Sequence, residues 1–256
     1  MSELQIPQVL CIRCKSLHSE TLFSGKDRLC VYCKADDAER LATPAVVEPE
    51  PEIVEEESVE DKARAELALR FLTRKRLLPF VERFNPDYQA GWVHKDVCQR
   101  LEKFSRMVVE KQSPRLMLFL PPRHGKSTLA SIAFPAWHLG RNPAHEFISC
   151  SYSGSLAMGF SRKVRGLLRE PSYKTAFNTR LDPESQSAEA WLTTNGGGFV
   201  AAGVGGGITG KGAHVLVIDD PVKNREDAES QNNRDANWDW YTSTAYTRLA
   251  PGGGVL

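Results

Sequence analysis

"LMLFLPPRHGKSTL", Leu116–Leu129, decides how the rest of this 256-residue chain is read. Five apolar residues run into Pro121 and Pro122, and Gly125-Lys126-Ser127 then opens a segment with helical character. Gly125 lets the backbone approach an anion, Lys126 offers a point charge, Ser127 offers a hydroxyl, and a helix N-terminus adds N–H donors. The usual phosphate-loop spacing, G-x-x-x-x-G-K-[ST], asks for glycine at position 120, where this chain has Leu120. By composition, G-K-[ST] arises by chance in roughly one chain in ten of this length, so the surroundings must decide. They are favourable. "RLMLFL", Arg115–Leu120, reads as a buried strand before the loop, and a helix from Lys126 to about Leu139 follows it. Pro121 and Pro122 stiffen the turn that the missing glycine would have shaped.

Working outward, "EFISCSY" (Glu146–Tyr152) reads as a second strand, and "SLAMGFSRKVRGLLRE" (Ser155–Glu170) as a helix with apolar residues three and four apart. "HVLVIDD" (His214–Asp220) is a third apolar run, and a long polar helix is expected from Glu226 to Leu249. Strands alternating with helices predict an α/β fold whose parallel sheet is covered on both faces, with ligands at the carboxyl ends of the strands. That rule points to Pro121–Ser127 and to Asp219–Asp220. Asp219, at the end of an apolar strand behind a phosphate loop, suits a Mg2+-organising carboxylate, and Asp220 stands where a general base would polarise water. Arg123 adds a guanidinium beside the phosphates. Nine of the nineteen glycines fall between Gly196 and Gly212. Their G-x-G-x-x-G is not a dinucleotide motif, because it runs into a strand instead of opening a helix; a flexible loop or a series of turns is expected. Cys98 and Cys150 fit packing positions.

The amino-terminal forty residues differ in kind. Cys11-x-x-Cys14 and Cys30-x-x-Cys33 form two knuckles that together suit a tetrahedral zinc site, a staple for a segment too short to bury much core. His18, between them, reads as a surface residue. "TPAVVEPEPEIVEEESVED" (Thr43–Asp61) has the composition of a solvated linker. The expected organisation is a zinc-ribbon-like module over 1–40, a linker over 41–62 and a globular domain over 63–256. Residues 1–62 carry 7 Lys/Arg against 14 Asp/Glu, and the remainder 26 against 18. A mildly basic body is compatible with a polyanion partner without requiring one. No apolar run is long enough to span a membrane, and the N-terminus lacks the features of a secretory signal.

Several blocks together resemble the large terminase subunit of tailed bacteriophages. They are "LPPRHGKSTLASIAFPAWHLGRNP", "SCSYSGSLAMGFSRKVR", "GVGGGITGKGAHVLVIDDPVKNREDAES" and "DWYTSTAYTRLAPGG". The resemblance runs from about Phe84 to the last residue. It implies a phosphate-loop ATPase of the RecA-like, additional-strand class that drives double-stranded DNA into a preformed capsid. On it, Lys126 is the loop lysine, Ser127 and Asp219 hold Mg2+, and Asp220 is the base, one methylene shorter than the glutamate common in the family. The loop residues Pro122, Arg123, His124, Gly125, Lys126, Ser127 and Thr128 contact ATP, with no separate role for His124, and His94 is an adenine candidate. Arg162 or Arg165 could act in trans on a neighbouring subunit. The implied partners are the portal protein, the small terminase subunit and further copies in a ring, in the cytoplasm of an infected bacterium. The family continues into a nuclease domain beyond "PGGGVL", so no nuclease activity is expected from these residues. Two alternatives stay open: a zinc-dependent DNA- or partner-binding module with a silent ATPase, and a helicase-like ATPase unrelated to packaging.

Overall fold

The computed structural model describes Gln8–Leu10, Leu17–Ser19 and residues 58–256. The chain divides into two units, Met1–Glu56 and Glu57–Leu256. In the first, β1 (Gln8–Leu10) and β2 (Leu17–Ser19) pair antiparallel. Cys11, Cys14, Cys30 and Cys33, and the acidic segment as far as residue 57, lie outside the described residues. No helix among the described residues is long and apolar enough to cross a membrane.

The second unit opens with three helices. α1 (Val59–Lys75) starts inside the stretch whose composition reads as linker. Ser58 caps it by accepting the Asp61 N–H at 3.1 Å, and Glu60 and Asp61 sit at the positive end of the helix dipole. The same acidic residues that suggest a linker therefore also favour a helix start. α2 (Leu77–Phe84) and α3 (Trp92–Val109) follow. On α3, Val97, Leu101, Phe104 and Val108 recur at helical spacing and are buried. Cys98 on α3 is buried with them, a packing residue as its position suggests.

Behind the phosphate-loop sequence the chain turns helical at once. It runs as a π-helix over Thr128–Ala133 before α4 (Phe134–Arg141). The Phe134 N–H donates five residues back, to the Leu129 carbonyl. Pro135 explains this register. It has no N–H for the Ser131 carbonyl, and its ring would crowd that oxygen in an ordinary α-turn.

The rest builds a six-stranded sheet. In chain order come β3 (Glu146–Ser151), α5 (Gly154–Arg169), α6 (Pro171–Ala176), β4 (Leu181–Gln186), β5 (Ala190–Thr193), β6 (Gly198–Gly203), β7 (Ala213–Asp219), α7 (Arg225–Glu229), α8 (Gln231–Trp240) and β8 (Leu249–Val255). The spatial order is β4-β5-β6-β3-β7-β8. β6, β3, β7 and β8 are parallel, whereas β5 runs antiparallel to both β6 and β4. The sheet is thus mixed, not parallel throughout. Successive residues of β3 and β7 serve two cores. Phe147, Val215 and Val217 pack with Phe199 against α2–α5, while Ile148, Cys150 and Leu216 pack on the other face with Ala245, Trp240 and Tyr241. Trp191, Phe199 and Phe147 stack across three adjacent strands at 5.5 and 6.2 Å between ring centroids.

Three expectations need correction. Arg115–Leu120 is not a buried strand. Only Arg115 pairs, with Val255, and Met117 and Phe119 are 78% and 88% exposed while Leu116, Leu118 and Leu120 turn inward. The run alternates like a one-sided edge, which an unbroken row of apolar residues conceals. The expected polar helix from Glu226 to Leu249 breaks at Ser230, whose side chain caps α8, and it dissolves into π and 3-10 turns after Trp240. In the glycine run, residues 205–212 form turns as expected, but Gly198 and Gly203 do not, because β6 occupies Gly198–Gly203. Just before it, Gly197 passes so close to the carbonyls of Pro143 and His145 that a side chain has no room.

At the amino ends of β3 and β7 three histidines stand in a row. Ser105 Oγ is 2.8 Å from His138 Nδ1, and His138 Nε2 is 2.9 Å from His145 Nδ1. The His145 and His214 rings stack at 4.3 Å, and His214 Nδ1 accepts the Glu146 N–H at 3.1 Å. Burial holds all three imidazoles toward the neutral form. His138, fully buried, is pushed well below the usual histidine range, with His145 and Arg141 adding to the effect. Burial and then the neighbouring His214 push His145 down to about 4. His214 is lowered by burial, against an opposing pull from Glu146.

Candidate functional site

The carboxyl ends of β3 and β7 open toward the loop that follows Leu120. In that loop Arg123 and Gly125 both adopt left-handed backbone, with φ of 64° and 74°. For a residue with a Cβ this costs about 1–2 kcal/mol, so Arg123 carries strain that glycine would not. A side chain at Gly125 would be strained too, and its Cβ would stand 3.2 Å from the Tyr88 hydroxyl and 3.7 Å from the His94 ring. The Leu129 N–H donates to the Gly125 carbonyl at 2.9 Å, so the helix begins immediately behind the loop.

β7 delivers two carboxylates. Asp219 ends the strand and is only 6% exposed, whereas Asp220 points out, with left-handed backbone at φ 47°. The Asp220 carbonyl accepts the Tyr152 N–H at 3.1 Å, which ties the exits of β3 and β7 together. The Lys126 ammonium donates to Asp220 Oδ1 and lies 3.8 Å from Asp219 Oδ1. The other Asp219 oxygen accepts the Ser131 hydroxyl at 2.8 Å. Beside these groups is a cavity of about 440 Å³ lined by Pro122, Arg123, Gly125, Lys126, Ser127 and Asp220, among others. Its size lies within the range of small-molecule sites.

The structure therefore brings together Pro122, Arg123, Gly125, Lys126, Ser127, Thr128 and Asp220 around one cleft, with Asp219 beside Lys126. Two candidates fall outside the lining. The His124 ring turns back to the Pro122 carbonyl, 2.9 Å from Nδ1. His94 sits behind Gly125, where Nδ1 accepts the Gly91 N–H at 3.0 Å and the ring meets Tyr88 edge-on. Arg162 and Arg165 lie on α5; Arg162 is exposed, and the Arg165 guanidinium donates to the Gln186 carbonyl. Sequence reasoning missed Ser131 and Tyr88. A serine four residues beyond Ser127 in an apolar helix was the available signal for the first; nothing local marks the second.

Two features bear on which groups such a cleft could hold. A lysine, a hydroxyl and left-handed backbone at a helix start are suited to polyphosphate. Among the described residues no three His, Cys, Asp or Glu side chains are arranged to hold a metal. Asp219 does, however, keep Oδ1 free of any close hydrogen bond, and Ser127 lies at the same mouth. Few protein ligands with the remainder from water and phosphate is the arrangement Mg2+ favours, so the residues fit the ion.

A family described as "Terminase large subunit, T4likevirus-type, N-terminal" matches residues 117–255, more than half of the chain. The chain belongs to this terminase family. The matched range begins in the strand-like run before the loop and ends in β8, so it takes in the loop, β7 and both aspartates. A solved terminase, the crystal structure of the HK97 bacteriophage large terminase, is similar at 15% identity with a TM-score of 0.46. The similarity covers 71% of this chain and 36% of that one, so the present chain spans about a third of that terminase. No curated protein matches.

Proposed function

We propose that Glu57–Leu256 is a Mg-ATP-dependent motor domain of a DNA-packaging terminase, coupling hydrolysis to movement of double-stranded DNA into a procapsid. The observation that carries this is the reach of Lys126 to both carboxylates at the end of β7. It makes the loop and the strand one site. The terminase family favours packaging over a helicase-like role.

Within that reading, Gly125 and the helix start receive the phosphates through backbone N–H groups, and Lys126 exchanges Asp220 for phosphate oxygen. Ser127 and Asp219 would hold Mg2+, which when bound supplies counter-charge to the phosphate oxygens. Asp220, released from Lys126, is then free to orient and polarise a water. Arg123 stabilises charge on the outer phosphate. His94 and Tyr88 act from behind the loop, holding Gly125 in place. Zn2+ on Cys11, Cys14, Cys30 and Cys33 completes the cofactor set, and the portal protein, the small subunit and further copies in a ring are the partners.

The test is ATP hydrolysis by the full chain, with and without double-stranded DNA, beside Lys126→Ala. Removing a charge aimed at the transferring phosphate should lower turnover roughly 10²–10³-fold. Equal turnover in the two proteins under both conditions would overturn the reading.

A further inference from the structure

We propose that Ser131 is a positioning residue for Asp219: it fixes which carboxylate oxygen faces the metal and phosphate side of the cleft. The inference rests on the Mg-nucleotide reading above and adds a residue to it.

Asp219 is nearly buried, and a buried carboxylate needs donors on its oxygens. Its neighbours on the sheet supply none. On β3, Ser151 lies in register with Asp219 and Ser149 with Val217, on the same face. Both hydroxyls are buried, yet neither has a hydrogen-bond partner. The donor comes instead from the helix behind the phosphate loop. Ser131, fully buried, donates to Oδ2 at 2.8 Å. That leaves Oδ1 turned toward Lys126, 3.8 Å away. A carboxylate with one oxygen pinned cannot exchange its two oxygens by rotation without breaking the bond.

Backbone register makes the contact possible. Ser131 belongs to the π-helical Thr128–Ala133, whose wider turn follows from Pro135. The helical run that begins at Lys126 therefore carries Ser127 at the cleft and Ser131 under Asp219. Loop and β7 are joined twice, through Lys126 from the cleft side and through Ser131 from the core side. Ser131 does not line the cavity, so its effect passes through Asp219. Groups that orient a metal-binding carboxylate typically change metal affinity 10–100-fold when removed.

The experiment measures binding of a fluorescent ADP analogue to the full chain, in excess Mg2+ and again in EDTA, for wild type, Ser131→Ala and Ser131→Cys. The cysteine keeps nearly the same size at this buried core position but is a weak donor. Both variants should lose about tenfold in affinity with Mg2+ present and match wild type in EDTA. They should also need about tenfold more Mg2+ for half-maximal binding. Wild-type affinity in Mg2+ for either variant would overturn the assignment. So would an equal loss with and without Mg2+, or a loss in the alanine variant alone, because both describe packing. A wild type that ignores Mg2+ altogether would instead overturn the Mg-nucleotide reading on which the assignment rests.

Discussion

Lowering the pH from 7 to 5 should destabilise Glu57–Leu256 through the row of His138, His145 and His214. Each imidazole is held below its ordinary range in the folded chain but titrates near 6.5 once unfolded. The unfolded chain therefore binds more protons below that pH, so stability is complete above about pH 6.5 and declines as the pH falls. For His145 the decline continues until about 4, where the folded form also takes up its proton. A histidine kept neutral loses about 1.4 kcal/mol per pH unit below 6.5, or about 2 kcal/mol at pH 5. His145 is only partly buried, and solvent screening reduces its share to about 1 kcal/mol. His138 and His214 add in the same direction, so the whole row loses more than the share of His145 alone. Glu66, held down to about 2 by Arg83 and Arg70, gives up its stabilisation mainly between about 4.5 and 2, below this interval. Urea unfolding followed by tryptophan fluorescence at pH 7, 6 and 5 reads the effect, with His145→Gln beside wild type. The variant should lose less stability across the same interval. Equal unfolding free energies at pH 7 and 5, or the same loss in His145→Gln, would refute the reasoning.

Two further outcomes are expected. The Tyr88 hydroxyl is buried against Gly125 without a hydrogen-bond partner, so Tyr88→Phe should raise unfolding free energy by about 1 kcal/mol; a loss of stability in the urea titration would contradict this. The four amino-terminal cysteines should hold one zinc per chain by elemental analysis, with Cys30→Ser abolishing it; a metal content unchanged by that substitution would rule out the S4 site.

Much of the central architecture could be read from local pattern. β3 and β7 are apolar runs ending in polar residues, α5 shows helical spacing, and the helix after the loop begins at Lys126 as its sequence suggests. Those elements draw their signal from burial on both faces or along one stripe. What could not be read depends on pairing at a distance. "LDPESQ" is polar and contains Pro183, yet it forms β4 because β5 lies beside it at the sheet edge. β6 hides in glycines selected by close backbone approach, as at Gly197, and not by strand propensity. The site divides in the same way. Lys126, Ser127, Asp219 and Asp220 stand at recognisable spacings, whereas Ser131 and Tyr88 join it only through folding, across 88 residues in the case of Ser131.

The pairing of Lys126 with Asp220 has an electrical consequence. Arg123 and Lys126 bring two positive charges to the cleft, and Asp219 and Asp220 bring two negative ones, so these four groups cancel. A polyanion approaching from a distance therefore meets little net field from them. Its gain is the difference between what Lys126 offers phosphate and what it already gives a carboxylate. Capture becomes a local trade of partners at contact range, governed by geometry within a few ångströms more than by the ionic strength of the surrounding solution.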